Sequence, residues 1–238
     1  YQMIWIYHHL LLDGWSASRL LGDMLRLYHN DSLPTLTGRY ADYIAWLQRQ
    51  DGAHAEGFWR ERLALLEEPT ILAKASGAAG SGHGVMYSHL DAEATRKLHS
   101  FAKRQRVTLN TLVQGAWLLL LQRHSGQRSV AFGATVAGRP TGLAGAQDML
   151  GLFINTLPVI QTLDPQQPVG EWLRDLQDYN LMVRDYEHTP LSDIQRWAGQ
   201  GGQGLFDSII VFENHPVDRA LKGGEEGELR FADVGSGG

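Results

Sequence analysis

Residues 1–16, YQMIWIYHHLLLDGWS, decide how the chain is interpreted. The apolar residues of Tyr1–Tyr7 occupy both alternating sets of positions, which is typical of a strand covered on both faces. Apolar residues then recur at helical spacing, which predicts a helix from about Ser16 to His29. His8 and His9 therefore stand where a buried strand ends and a helix is about to begin, a favourable place for a functional site.

Two adjacent histidines at a strand end allow several roles. Because side chains alternate along a strand, His8 and His9 should point to opposite faces, so that one imidazole faces a cleft. An ordinary structural role also fits, since a strand-end histidine is often half-buried and Asp13 before Gly14 can cap a helix. Metal binding by the two histidines and Asp13 is disfavoured because neighbouring strand side chains diverge, so we predict no metal site.

Composition removes several classes of protein. The chain has 238 residues, of which 43% are hydrophobic and 20% charged, as in an ordinary globular protein. A net charge of -5 argues against a nucleic-acid partner or an anionic membrane surface. The absence of cysteine removes disulfides and thiolate nucleophiles and is compatible with the cytoplasm, where we expect the protein. Apolar stretches such as Ala116–Leu121 fall far short of the ~20 residues of a membrane helix.

Strands and helices alternate along the chain, which predicts a layered α/β fold that admits mixed strand directions. Asp91 and Thr108 are predicted helix N-caps, and the Gly-rich stretch 67–84 is the best candidate linker. Beyond the first helix, the predicted helices cover about 40–50, 53–66, 92–106, 109–125, 169–186 and 191–198, and the predicted strands cover 85–90, 129–136, 152–163, 206–213 and 228–234.

A series of motifs, in a fixed order over nearly the whole chain, resembles one protein family. The motifs are HHLLLDGWS at 8–16, YADYIAWLQ at 40–48, FWR at 58–60, GATVAGRP at 133–140, LGLFINTLP at 150–158, HTPL at 188–191 and FDSIIVFEN at 206–214. Together they resemble the condensation domains of nonribosomal peptide synthetases. Because the motifs keep the family's order, the resemblance is specific.

The resemblance implies a chloramphenicol acetyltransferase-like fold, in which two lobes form a V and the histidine motif lies in the tunnel between them. It assigns residues 1–68 to the end of the first lobe, 69–84 to the linker and 85–238 to most of the second lobe, truncated at its end. The chain also opens within a strand and stops after a short strand-like run. We therefore expect a fragment, with the beginning of the first lobe missing.

The resemblance also implies a reaction. Family members join an upstream acyl or peptidyl thioester to the amine of a downstream aminoacyl thioester. The phosphopantetheine arms of carrier domains deliver both substrates, so no cofactor is expected to bind the domain directly. The implied partners are upstream and downstream peptidyl carrier domains and an adjacent adenylation domain of the same synthetase. The wording around residues 10–16 and 152–158 looks most like members that take an L-configured donor.

Eight residues take roles by this resemblance. His9 is the catalytic residue, which places the amine or stabilises developing charge, with full proton abstraction as the alternative role. The residues expected to support the site structurally are His8, Asp13, Gly14 and Arg139. In the family the aspartate pairs with an arginine of the other lobe, which corresponds to Arg139 here. The residues expected to line the substrate channel are Trp15, Ser16 and Asn155.

Three alternatives to a condensation domain stay open at this stage. Epimerisation domains share the histidine motif but usually continue with Val-Ser-Trp where this chain has Trp15-Ser16-Ala17. A stand-alone acyltransferase using a soluble thioester and a non-catalytic module that only docks carrier domains also fit. Heterocyclisation domains are excluded because they replace the histidines by aspartate. The isolated fragment is expected to be inactive and poorly soluble, because its first strand lacks partners.

Overall fold

A computed structural model of the protein describes residues 4–73, 82–199 and 204–213. The chain divides into two compact units, each with its own core. The first unit contains the described residues of Tyr1–Gln50 and Gly138–Ile154, together with Glu213. The second unit contains those of Asp51–Ala137 and Asn155–Phe212.

The first unit is built from two helices and a long returning loop. Helix α1 spans Gly14–Tyr28 and helix α2 spans Tyr40–Leu47, close to the predicted bounds. The loop 138–154 brings Met149 and Phe153 against Tyr43, and these three side chains form the small core of this unit. The aromatic rings of Tyr43 and Phe153 lie with their centroids 4.5 Å apart.

The prediction that the chain opens with a strand is wrong for the described residues 4–7. These residues pair with no strand in the described part of the chain, and Ile4 and Ile6 are 73% and 87% exposed. An extended segment becomes a strand only where a neighbour accepts its backbone hydrogen bonds, and none of the described elements does so here. The backbone instead turns at His8, where the Leu11 amide donates to the His8 carbonyl oxygen at 2.9 Å.

The second unit contains the remaining elements. Asp91 and Thr108 are confirmed as N-caps, because their side chains accept hydrogen bonds from the Ala94 and Thr111 amides. In chain order its elements are α3 (Gly52–Leu63), α4 (Ala92–Gln105), α5 (Leu109–Ser125), β1 (Ser129–Val136), β2 (Asn155–Thr162), α6 (Val169–Val183) with a 3-10 turn at Arg184–Tyr186, α7 (Leu191–Trp197) and β3 (Ile209–Ile210).

A mixed three-stranded sheet lies at the centre of this unit, in the order β2-β1-β3. Strands β1 and β2 are antiparallel, and their register runs from Ser129 opposite Thr162 to Val136 opposite Asn155. Strand β3 is parallel to β1. The α/β fold with mixed strand directions is therefore confirmed. Trp59, Phe132 and Leu118 are completely buried in its core, and burying one such side chain contributes about 1.5–3 kcal/mol.

Two further strand predictions need correction. Residues 85–90 form no strand, and Val85, Met86 and Tyr87 are 79%, 94% and 83% exposed, since no described strand pairs with them. The predicted strand 206–213 pairs with its neighbours only through Ile209–Ile210 and a single bridge between Thr70 and Phe206. The predicted strand 228–234 lies outside the described residues.

The compact units follow different boundaries from the division at residues 69–84. Residues 51–68 pack in the second unit, since Trp59, Leu63 and Leu66 belong to its apolar core. Thr70 at the start of the predicted linker is completely buried and donates its amide proton to the Leu205 carbonyl oxygen. Residues 74–81 lie outside the described part of the chain. The assignment of 1–68 and 85–238 to two lobes stays a prediction.

Candidate active site

The site in the first unit is organised by Asp13, a completely buried carboxylate directly before helix α1. Its backbone amide donates to the Gly151 carbonyl oxygen at 3.1 Å. Oδ1 accepts the Ser16 amide at 2.8 Å, and Oδ2 accepts the Phe153 amide at 3.1 Å. Asp13 thus caps the helix, as the structural alternative predicted, and also joins the helix start to the returning loop.

Arg139 lies against this carboxylate and is also buried. Its Nη2 lies 3.2 Å from Oδ1 and 3.4 Å from Oδ2 of Asp13, so the two side chains form a buried ion pair. Nη1 donates to the carbonyl oxygens of Ala146 and Met149 at 2.7 and 2.8 Å. The guanidinium carbon also lies 4.1 Å from the centre of the Phe153 ring. One cation therefore holds three points of loop 138–154 and the helix cap together.

Close approach of the backbone requires glycine at two positions of this loop. Gly138 has φ +62, and a Cβ atom there would lie 1.8 Å from the Phe153 carbonyl oxygen. A Cβ at Gly151 would lie 2.2 Å from Cδ2 of Tyr40. The Tyr40 hydroxyl donates to the Leu152 carbonyl oxygen at 2.7 Å. Burial, and secondly the negative charge of Asp13, raise the pKa of Tyr40, so its hydroxyl keeps its proton.

Ser16, which we expected to line a channel, is instead buried inside this network, with 1% of its surface exposed. Its hydroxyl donates to the Gly151 carbonyl oxygen at 2.8 Å and accepts from the Gly151 amide at 3.1 Å. It also accepts from Nη2 of Arg139 at 2.9 Å. The N3 position of α1 turns this side chain towards the loop, and sequence spacing alone did not show that a loop would cover it.

His8 and His9 lie on the exposed turn before this network. Nδ1 of His8 accepts the Leu10 amide at 3.1 Å, so the His8 ring stabilises its own turn. The His9 side chain is open to solvent rather than sealed in apolar packing. Gly14 begins helix α1, where its carbonyl oxygen accepts the Ser18 hydroxyl at 2.6 Å, and Trp15 is 40% exposed.

Asn155 lies in the second unit, where it begins β2. Its amide Nδ2 donates to the carbonyl oxygens of Glu187 and Thr189 at 2.9 and 2.7 Å. Both donors of Asn155 therefore hold the backbone on either side of His188. Burial lowers the pKa of His188, and a hydrogen bond to the Asp185 backbone offsets part of this effect.

The structure brings Asp13, Arg139 and Ser16 together and adds one residue that sequence reasoning missed. Phe153 supplies both an amide to Asp13 and a ring beneath Arg139. The only signal in the sequence was its place inside the motif at 150–158, but an apolar residue there indicates only packing. Within the described ranges, no three side chains of His, Asp or Glu come close enough to share a metal ion. No described helix is long and apolar enough to cross a membrane.

Comparisons with known proteins place this geometry in a family. A family model described as "Condensation domain" matches residues 1–235. A segment of the linear gramicidin synthase of Brevibacillus parabrevis is 43% identical over 245 residues, which cover 98% of this chain and 3% of that protein. Chondramide synthase cmdD of Chondromyces crocatus is 42% identical over 230 residues, which cover 93% of this chain and 6% of that protein.

Solved structures show the same fold. The first condensation domain of the calcium-dependent antibiotic synthetase, in complex with substrate analogue 3a, aligns with a TM-score of 0.67 at 20% identity. The alignment covers 86% of this chain and 46% of that one. The chain therefore spans less than half of this solved structure and a small part of each curated relative.

Proposed function

The chain belongs to the condensation-domain family of nonribosomal peptide synthetases, and from this premise we propose that it serves in amide-bond formation. The proposed reaction joins an upstream acyl or peptidyl thioester to the amine of a downstream aminoacyl thioester. The phosphopantetheine arms of two peptidyl carrier domains would deliver these substrates, and an adenylation domain would lie next to them in the same synthetase. The resemblance of residues 10–16 and 152–158 to L-donor members supports an L-configured donor.

The observation that carries this proposal is the contrast between His9 and Asp13. His9 is exposed, so its imidazole is available to a substrate, whereas Asp13 four residues later is completely buried and held by Arg139. A histidine on a merely structural strand would be covered on one side. An exposed ring next to a rigid anchor is the arrangement that presents a functional group to a reactant.

The role of His9 follows from the chemistry of the amine. A free α-amine has an ordinary pKa of about 7.7–8.0, so much of it is already neutral near pH 7.5. General-base help is worth about 10²–10⁴-fold, whereas holding two reactants in line supplies ~7–11 kcal/mol. We therefore assign His9 first to orienting the amine and stabilising developing charge. His8, Asp13, Gly14 and Arg139 would support the turn that carries it.

The test is amide formation by the full-length protein that carries this sequence. Two carrier domains are loaded with aminoacyl groups, and the transfer is followed by intact-mass measurement. His9→Ala should lower the rate by about 10²–10⁴-fold. His99→Ala, at an exposed position of helix α4, is the matched control and should keep the wild-type rate.

Each other outcome supports a different function. If the wild-type protein binds both carriers but forms no amide, the chain is a docking module. Inversion of one aminoacyl group without transfer supports an epimerisation domain. Transfer from a soluble thioester without any carrier supports a stand-alone acyltransferase. The 238-residue chain by itself is predicted to be inactive, since Ile4, Ile6 and Met86 are left more than two-thirds exposed.

A further inference from the structure

The position of His9 is inherited from Asp13. Among the described residues, the hydrogen bonds of 4–12 remain inside that segment, such as the Leu11 amide to the His8 carbonyl oxygen. The first hydrogen bond to another element is made by the Asp13 amide, which donates to the Gly151 carbonyl oxygen. The turn that carries His9 is therefore placed by whatever fixes Asp13 against Gly151.

Ser16 supplies most of that fixation. A hydroxyl group has one donor and two acceptor sites, and Ser16 uses all three. It donates to the Gly151 carbonyl oxygen and accepts the Gly151 amide, so both polar backbone groups of Gly151 are held by one side chain. Its third bond comes from Nη2 of Arg139.

The distances around Arg139 give Ser16 more weight than the ion pair suggests. Nη2 lies 2.9 Å from the Ser16 hydroxyl oxygen, compared with 3.2 and 3.4 Å from the two oxygens of Asp13. Charge-assisted bonds of good geometry are usually about 2.7–2.9 Å long. The hydroxyl is therefore the better-placed partner of Nη2, and it sits between the cation and the loop that the cation holds.

We propose that Ser16 is a positioning residue for His9. Its hydroxyl fixes Gly151 and Arg139 against Asp13, and this sets where the turn presents the imidazole. The inference rests on the proposed function and assigns Ser16 to the support of the site instead of the channel wall. No contact between Ser16 and a substrate is involved, because the side chain is buried.

The test measures amide formation in the full-length protein with both carriers loaded. Ser16→Ala should lower kcat by about 10–100-fold, because a misplacement of ~1 Å costs up to about 10²-fold, and should leave the KM for the carrier-bound substrates unchanged. Ser16→Thr keeps the hydroxyl and should restore much of the rate. Ser18→Ala is the matched control, since Ser18 is also buried on α1 but bonds only within the helix, to the Gly14 carbonyl oxygen.

A double variant separates positioning from general stability. If Ser16 acts through His9, then adding Ser16→Ala to a His9→Ala protein should lower the remaining rate by less than about twofold. Should Ser16→Ala not fold, Ser16→Cys, which keeps the size and weakens the hydrogen bonds, is measured in the same two backgrounds.

The outcomes distinguish this inference from the proposed function. An equal loss of rate in both backgrounds overturns the positioning role, as does a Ser16→Ala protein with wild-type kcat. A loss that falls on KM alone also overturns it. If the wild-type protein forms no amide, the proposed function itself fails and the inference fails with it.

Discussion

The two compact units are held together by different kinds of interaction. In the first unit the centre is polar, with the buried pair of Asp13 and Arg139 and the hydroxyl of Ser16. In the second unit the centre is apolar, with completely buried residues such as Phe132 and Leu118. The first unit therefore depends on a few directional bonds, and the second on the total area that it buries.

This contrast determines where each unit tolerates change. Apolar packing is non-directional, so a core accepts another apolar side chain of similar volume at a small cost. A buried charge needs its own partner, so removal of either member leaves the other uncompensated. A network of this kind fixes atoms in place, which suits the unit that carries the candidate site.

The greatest loss of stability is expected when a change that preserves shape is made in each unit. Asp13→Asn removes the charge that faces Arg139 and should lower the free energy of unfolding by about 3–5 kcal/mol. Leu118→Met in the second unit should cost less than about 1.5 kcal/mol. Urea unfolding measures both values, and hydrogen exchange of the Phe153 amide, which bonds to Asp13, should localise the first effect.

Controls keep that comparison specific. Arg39 and Asp42 form an exposed pair in the first unit, so Arg39→Ala should change the free energy of unfolding by less than about 1 kcal/mol. Equal costs for Asp13→Asn and Leu118→Met would contradict the contrast between the two units. An unchanged exchange rate at Phe153 would show that the loop is held by something other than Asp13.

Much of this arrangement can be predicted from the sequence, because it depends on local signals. Helical spacing and caps such as Asp91 and Thr108 placed most helices within a few residues. Strands at 4–7 and 85–90 were wrong because a strand depends on a partner that the residues themselves do not specify. The family resemblance implied the pairing of Asp13 with Arg139, which the structure shows as a geometric fact.

The burial of Ser16 and the part played by Phe153 could not be predicted in this way. Both depend on loop 138–154 returning more than 120 residues later in the chain, and its path is set by close approaches at Gly138 and Gly151. A serine next to a helix cap is ordinarily exposed, so its residue type gave no sign of a tertiary contact. Such contacts become visible only when the fold is known.

A smaller effect is expected at the polar clamp inside the apolar unit. Asn155→Ala removes two hydrogen bonds to the carbonyl oxygens of Glu187 and Thr189 and should cost about 1–3 kcal/mol. Asn155→Asp should cost more, since a carboxylate places an acceptor against two acceptors. The control is Asn180→Ala, because Asn180 donates a single bond, to Oε1 of Gln114.

The same variants decide between clamp and channel at Asn155. Thermal unfolding gives the stability change, and amide formation well below the unfolding temperature gives the kinetic one. Loss of stability with an unchanged rate supports the clamp. An unchanged stability with a lowered rate would contradict it and return Asn155 to the channel wall.

The weakest effect is expected from pH, and it involves the segment that Asn155 clamps. Burial lowers the pKa of His188 from the ordinary value of 6.5, although its bond to the Asp185 backbone offsets part of the change. The unfolded chain therefore binds a proton at a higher pH than the folded chain. The stability associated with His188 is complete above about pH 6.5 and is lost as the pH falls towards the folded-state pKa.

Urea unfolding between about pH 7.5 and 5 should therefore show a slope in wild-type protein that His188→Asn reduces. His99→Asn, at an exposed position, tests whether loss of any histidine has the same result. A wild-type slope in the His188→Asn protein would mean that the clamp does not keep this imidazole out of water. The polar hold in the second unit would then resemble ordinary surface structure, and the buried polar network would be a property of the first unit alone.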